Sequence, residues 1–101
     1  MEPRQFARHP EHRMHNAVTA GWTNSVKRMM ATGADVNASG KYGYTPLMLA
    51  VLWNQAEIAE LLLSAGADPN AADHRGHTAL DMIPEDADWA QELLCRYTAK
   101  G

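Results

Sequence analysis

The chain has 101 residues, of which 46% are hydrophobic and 21% are charged. This composition excludes an intrinsically disordered chain and is typical of one globular domain. The formal net charge is −3, and the segment 42–101 carries three Lys/Arg against nine Asp/Glu, which argues against binding to nucleic acid.

Cysteine and hydropathy patterns indicate a reducing compartment. The single cysteine excludes an internal disulfide, and the N-terminal residues lack the apolar segment of a secretory signal. The longest apolar run, 47–53, is too short to span a membrane. We therefore expect a cytoplasmic protein with no membrane association.

Residues 1–11 form a predicted flexible lead-in with room for one turn of helix, because they combine two prolines with several charges. His9, His12 and His15 are spaced by three and would lie on one side of a helix. Such a trio could bind a metal ion, but Pro10 disfavours helix at His9 and no further ligand completes a tetrahedral site. Solvated or locally capping histidines are the favoured interpretation.

Two short helices are predicted between residues 13 and 32. Gly21 ends the first helix and Gly33 ends the second, each as a left-handed C-terminal residue. The apolar stripes that define the two helices are Met14, Ala17 and Val18, and then Val26, Met29 and Met30. The following residues, 37–44, predict a hairpin-like loop that is rich in Ser, Gly and Tyr.

The next helix pair is the clearest in the chain. Thr45 is a predicted N-cap, and Pro46 follows at the first helical position, where a missing N–H costs no hydrogen bond. Asn54 can close this helix. A second helix is predicted over 56–64, with Ile58, Ala59, Leu61 and Leu62 inward and Glu57 and Glu60 outward.

The last helix pair departs from this pattern. Thr78 is again a predicted cap, with Leu80, Met82 and Ile83 as the apolar set, but Pro84 should stop the helix early. Trp89, Leu93 and Leu94 form the stripe of the final helix. These residues align best with the second helix of the preceding pair when the shift is one residue shorter than the distance from Thr45 to Thr78.

Two segments recur along the chain at a fixed distance. GYTPLMLA at 43–50 shares its Gly, Thr and first Leu with Gly76, Thr78 and Leu80, and GAD-x-NA occurs at both 33–38 and 66–71. A period of about 33 positions predicts a stacked repeat array. The segments resemble the ankyrin-repeat family, whose pattern opens with Gly-x-Thr-Pro-Leu-His-x-Ala and closes with Gly-Ala-Asp-x-Asn-Ala.

The resemblance implies an all-α fold, an ankyrin-repeat α/α solenoid of three stacked helix-loop-helix units with β-hairpin-like fingers. It implies one domain over 1–101, with repeats at about 12–40, 41–73 and 74–101. It also implies a protein-interaction module that binds a partner protein through its concave face and fingers, as an adaptor or an inhibitor. We further expect a monomeric, non-catalytic protein without cofactor or metal.

The positions that contact partners in this family, carried over to this sequence, predict the binding surface. They are enriched in the Tyr, Trp and Arg side chains that dominate interface hot spots. The predicted contact residues are Lys41, Tyr42, Tyr44, Leu52, Trp53, His74, Arg75 and His77. The alternative is that Tyr42 and Tyr44 brace the finger while Trp53 packs on the helix ends.

The sequence leaves two other function classes open. A metal- or small-ligand-binding module would use the histidines, with Asp73, His74, His77 and Asp81 as a loose cluster around the second finger. An enzyme is disfavoured, because the chain lacks the motifs of phosphate, dinucleotide, hydrolase and metalloprotease sites. Cys95 lies beside Leu94 in the last helix and is predicted to be a structural thiol rather than a nucleophile.

Overall fold

The computed structural model describes residues 10–40 and 42–98, with side chains from Met14 onward. These residues form five α-helices and one 3₁₀ helix and contain no β-strand. The helices are α1 (Pro10–Ala20), α2 (Thr23–Ala31), α3 (Pro46–Leu52), α4 (Ala56–Ser64), the 3₁₀ helix (Ala79–Met82) and α5 (Asp88–Thr98).

Each repeat contributes one helix to each of two layers. In the first layer, α3 packs between α1 and the 3₁₀ helix; in the second layer, α4 packs between α2 and α5. Each repeat thereby covers the apolar face of its neighbour, as in other solenoids. The prediction of an all-α stack of helix-loop-helix units is confirmed.

Helix α1 begins earlier than predicted. It starts at Pro10, inside the segment 1–11 that the sequence assigns to the lead-in, because proline is tolerated in the first turn of a helix, where its missing N–H has no partner. Residues 1–9, including His9, lie outside the described residues.

Hydrogen bonds at its N-terminus fix the start of α3. The Thr45 hydroxyl accepts from the Met48 backbone N–H at 3.3 Å, and the Met48 sulfur accepts from the Thr45 N–H at 3.4 Å. Pro46 occupies the first helical position, as predicted. At the other end, Asn54 takes a left-handed φ of 58° and ends the helix as expected.

One hydrophobic core runs through all three repeats. Met14, Leu47, Leu62 and Leu94 belong to it, and each is at most 1% exposed. Burying a side chain of this size stabilises the fold by about 1.5–3 kcal/mol, whereas isolated helices of this length are marginal in water. The stack therefore depends on packing between repeats more than on helix propensity.

The third repeat has only a 3₁₀ turn as its first helix. The turn ends at Met82, ahead of Pro84, as the proline predicts. Leu80 was predicted to be part of the apolar set, but it is 39% exposed, and Ala79 is buried instead. In a 3₁₀ helix, residues i and i+3 share a side, so Ala79 and Met82 face the core and Leu80 does not.

A side-chain bridge joins the first two repeats. Asn37 accepts a hydrogen bond from the Asp68 backbone N–H at 2.7 Å and donates one to the Gly66 carbonyl at 3.2 Å. Asn70, the equivalent of Asn37 in the next repeat, makes no corresponding side-chain bridge to another described residue. Both repeats carry the asparagine, but among the described residues only Asn37 forms a side-chain bridge between two repeats.

His15 is neither solvated nor a local cap, so the prediction for this residue is wrong. Its Nε2–H donates to the Ala38 carbonyl at 3.1 Å, tying α1 to the loop before α3. His15 holds the position in the first repeat that Met48 holds in the second, where the family pattern carries His. The alignment of His15 with this position of the family pattern could have predicted the contact.

Candidate protein-binding surface

Two tight turns of the same geometry form the fingers, the first over 40–44 and the second over 73–77. In the first finger, the Gly40 N–H donates to the Tyr44 carbonyl at 2.9 Å. In the second, the Asp73 N–H donates to the His77 carbonyl at the same distance. The predicted β-hairpin-like fingers are thus single turns, without strand ladders in the described residues.

The two fingers are joined directly. The His74 backbone N–H donates to the Tyr42 carbonyl at 3.0 Å, and Gly43 lies against the same amide with a φ of +81°. A Cβ on Gly43 would be 2.8 Å from the His74 nitrogen, closer than two such atoms approach in real structures. Glycine at this position allows the fingers to pack side by side.

Asp73 organises the second finger from within. Its carboxylate is buried and its Oδ1 accepts from the backbone N–H groups of His77 and Arg75, both at 2.9 Å. The hydrogen bond from His77 is the main reason that the pKa of Asp73 is lowered, against the opposing effect of desolvation. The sequence prediction grouped Asp73 with exposed histidines as a loose metal cluster; the structure gives it a backbone-bracing role.

Asp81 is also engaged locally. Its Oδ2 accepts from the Thr78 backbone N–H at 3.0 Å at the start of the 3₁₀ helix, so this carboxylate braces the third repeat itself. Among the described residues, no group of three or more His, Cys, Asp or Glu side chains is placed to hold a metal ion.

Four predicted contact residues line one depression on the fingers, with a volume of about 350 Å³. Tyr42 and Tyr44 stand edge to face, with ring centroids 6.2 Å apart and an interplanar angle of 63°. Tyr42 is 58% exposed, whereas Tyr44 is half-buried and packs against the core. His74 and Arg75, both exposed, complete the lining. We call these four residues the finger depression.

Two of the remaining predicted residues lie apart from the finger depression. Leu52 and Trp53 stand at the C-terminal end of α3 and are 44% and 57% exposed. Trp53 follows the Thr45 cap by the whole length of α3, which corresponds to about 12 Å along a helix. Both side chains are exposed, and neither lines the depression.

Of the other two, His77 is exposed and contributes its backbone to the finger turn. Lys41 lies outside the described residues. Cys95 is exposed rather than structural, because it falls on the solvent side of α5 while the adjacent Leu94 faces the core.

The family model described as ankyrin repeats (3 copies) matches residues 10–73. The chain belongs to the ankyrin-repeat family. The matched region covers the first two repeats and ends at the second finger, before the divergent third repeat.

Curated relatives include an inhibitor, a regulatory subunit and a corepressor-like protein. The chain is 38% identical over 73 residues to human BCL-6 corepressor-like protein 1, covering 72% of this chain and 4% of the relative. It is 37% identical over 73 residues to mouse protein phosphatase 1 regulatory subunit 27, covering 72% and 47%. It is 45% identical over 60 residues to NF-kappa-B inhibitor alpha of Sus scrofa, covering 59% and 19%.

The chain thus spans less than half the length of each of these three relatives. None of the helices in residues 10–40 and 42–98 has the length and hydropathy needed to cross a membrane.

Proposed function

We propose that this ankyrin-repeat protein is a monomeric, cytoplasmic, non-catalytic module that binds a partner protein, not nucleic acid, through the finger depression. Binding itself is the effect, as in an adaptor or an inhibitor. The observation that supports this proposal is the convergence of Tyr42, Tyr44, His74 and Arg75 around one open depression. The repeat framework does not require aromatic or cationic side chains at these positions.

The physical chemistry of the depression suits a protein ligand. Tyr42 offers a large apolar ring at low entropic cost and a hydroxyl group, and Arg75 offers a planar cation with several donors. The fingers are held by the His74–Tyr42 backbone hydrogen bond and the buried Asp73 carboxylate, so little ordering free energy is lost on binding.

The names of relatives fit the same role. One is an inhibitor and another a regulatory subunit, and both names describe proteins that act on another protein. We propose that Leu52 and Trp53 extend the contact surface along α3 towards the helix ends, with His77 at the finger side. Lys41 remains a predicted contact residue.

The test compares capture of partners from native lysate by wild type and by Tyr42→Ala/Arg75→Ala, quantified by mass spectrometry. The matched control is Asn24→Ala/Arg28→Ala, which removes the same charge and one other exposed polar side chain from α2. We expect the finger variant to lose a specific partner and the control to retain it, with melting temperatures unchanged. Equal retention by both variants would contradict the proposal.

A further inference from the structure

A second surface lies on the outer side of the second layer, between α4 and α5. Two adjoining grooves run there, with volumes of about 250 Å³ and 280 Å³. Glu60 lines both grooves, so they meet at this residue, and we call them together the outer furrow. Its lining residues are Ala56, Glu57, Glu60, Leu61, Ser64, Trp89, Glu92, Leu93, Arg96 and Tyr97.

The two helices present equivalent faces to the furrow. On α4 the lining includes positions 57, 60, 61 and 64, and on α5 it includes positions 89, 92, 93 and 96. Both sets follow the i, i+3, i+4, i+7 spacing of one helix face. The shift that aligns Trp89, Leu93 and Leu94 with the preceding repeat also carries the α4 set onto the α5 set. Glu60 and Glu92 therefore stand at the same position of adjacent helices.

Acidic side chains at this position are not demanded by the repeat. In the first repeat, Lys27 stands on α2 at the position equivalent to Glu60. The side chains of Lys27, Glu60 and Glu92 are all exposed. The outer face consequently changes from basic to acidic between the first and second repeats. Since the framework tolerates either charge, the paired carboxylates are free to serve recognition.

The furrow combines negative charge with aromatic surface. Glu57, Glu60 and Glu92 supply three carboxylates against the single cation Arg96. Trp89 and Tyr97 are half-buried at different grooves of the furrow. Carboxylates beside aromatic rings favour guanidinium and ammonium groups through Coulomb attraction and cation–π contact.

We propose that the outer furrow binds an extended segment of a partner protein that carries two Lys or Arg residues three positions apart. Packed helices lie about 8–10 Å apart, which sets the spacing of Glu60 and Glu92. A polyproline-type segment rises about 3.1 Å per residue with three residues per turn, so cations at i and i+3 reach both carboxylates from one side.

The furrow and the finger depression share no lining residue. One is built from second-layer helices and the other from the turns that precede first-layer helices. The two surfaces can therefore be occupied at the same time. Taken with the finger binding proposed above, on which this step rests, the furrow favours the adaptor over the inhibitor, with one partner on the fingers and a basic segment on the outer face.

The test measures fluorescence anisotropy of a labelled nonapeptide that has Arg at positions three and six in an Ala/Pro background. The furrow variant is Glu60→Gln/Glu92→Gln. The matched control is Glu85→Gln/Asp86→Asn, which removes two exposed carboxylates from the linker before α5. We expect the furrow variant to raise Kd roughly tenfold and the control less than about twofold.

Two further arms separate this site from its alternatives. The finger variant Tyr42→Ala/Arg75→Ala should bind the peptide as wild type does, which keeps the result independent of the finger proposal. A peptide with Glu in place of Arg should not bind, and about 0.5 M salt should weaken the Arg peptide.

Equal loss in the furrow variant and the charge-matched control would overturn the proposal, because only net charge would then matter. No binding of the Arg peptide by wild type at about 1 mM protein would also overturn it. So would a concentration-dependent dimer in sedimentation that Glu60→Gln/Glu92→Gln abolishes. The occupant would then be a second copy, whose segment 1–41 carries six Lys/Arg against three Asp/Glu.

Discussion

Two equivalent glycines test whether packing between the fingers stabilises the stack. Gly43 and Gly76 hold the same position in successive repeats and take similar positive φ angles of 81° and 85°. Alanine at either position carries the left-handed backbone cost, about 1–2 kcal/mol. Only Gly43 has a neighbouring finger: a Cβ there would lie 2.7 Å from His74 Cδ2, whereas nothing lies within 4 Å of a Cβ on Gly76.

The difference between the two variants isolates the contact. In Gly43→Ala the clash includes the His74 backbone nitrogen, so no side-chain rotation relieves it and the second finger must move. Overpacking of this kind costs about 1–3 kcal/mol, and loss of the His74–Tyr42 backbone hydrogen bond about 1 kcal/mol more. We expect Gly43→Ala to be less stable than Gly76→Ala by about 2–4 kcal/mol.

Urea unfolding followed by circular dichroism measures both variants against wild type. The same difference should appear as a melting temperature lower by at least about 8 °C for Gly43→Ala than for Gly76→Ala, given the size of the domain. Equal losses of unfolding free energy in the two variants would refute the reasoning, since backbone strain alone would then explain both.

Three further substitutions each test one contact of the structure. Asn37→Ala should lower the unfolding free energy by about 1–2 kcal/mol, because two hydrogen bonds between repeats are lost. Asn70→Ala should lower it by less than about 0.5 kcal/mol. Urea unfolding of both variants checks this difference, and equal losses of unfolding free energy would contradict it. The pKa of Asp73 is lowered because its carboxylate accepts the His77 backbone N–H, so its contribution to stability is present above the ordinary carboxyl value of 3.8 and is lost as pH falls through the lowered value. Wild type should therefore lose stability more steeply than Asp73→Asn between about pH 5 and pH 2 in unfolding titrations, and parallel curves would argue against this role. Gly40→Ala places a Cβ 2.6 Å from the His15 ring and should destabilise the fold by about 1–3 kcal/mol. In a His15→Ala background most of that cost should vanish. A strictly additive double-mutant cycle would show that the contact with His15 is not the cause.

The architecture was predictable because it follows from a repeated local pattern. Each apolar stripe defines a helix face, and the fixed period of the sequence means that these faces are covered by copies of the same unit. Helix ends followed from local chemistry as well: Thr45 and Pro46 start α3, and Pro84 limits the third repeat to a 3₁₀ turn.

The departures from prediction have in common that they depend on the direction in which a side chain points. Leu80 turns outward because the tighter 3₁₀ geometry gives its place to Ala79. His15 finds its acceptor in the distant Ala38 carbonyl, and Cys95 is exposed although its neighbour Leu94 is buried. Composition and burial statistics average over such differences of orientation.

The candidate site divides along the same line. The sequence determined which side chains stand on fingers and helix ends, because repeat register alone assigns them to those positions. Only the tertiary structure decided that Tyr42, Tyr44, His74 and Arg75 converge while Trp53 stands apart, and that Glu60 and Glu92 share a furrow. Register fixes a residue's place within its own unit, but convergence depends on the distance and rotation between units, which side-chain packing sets.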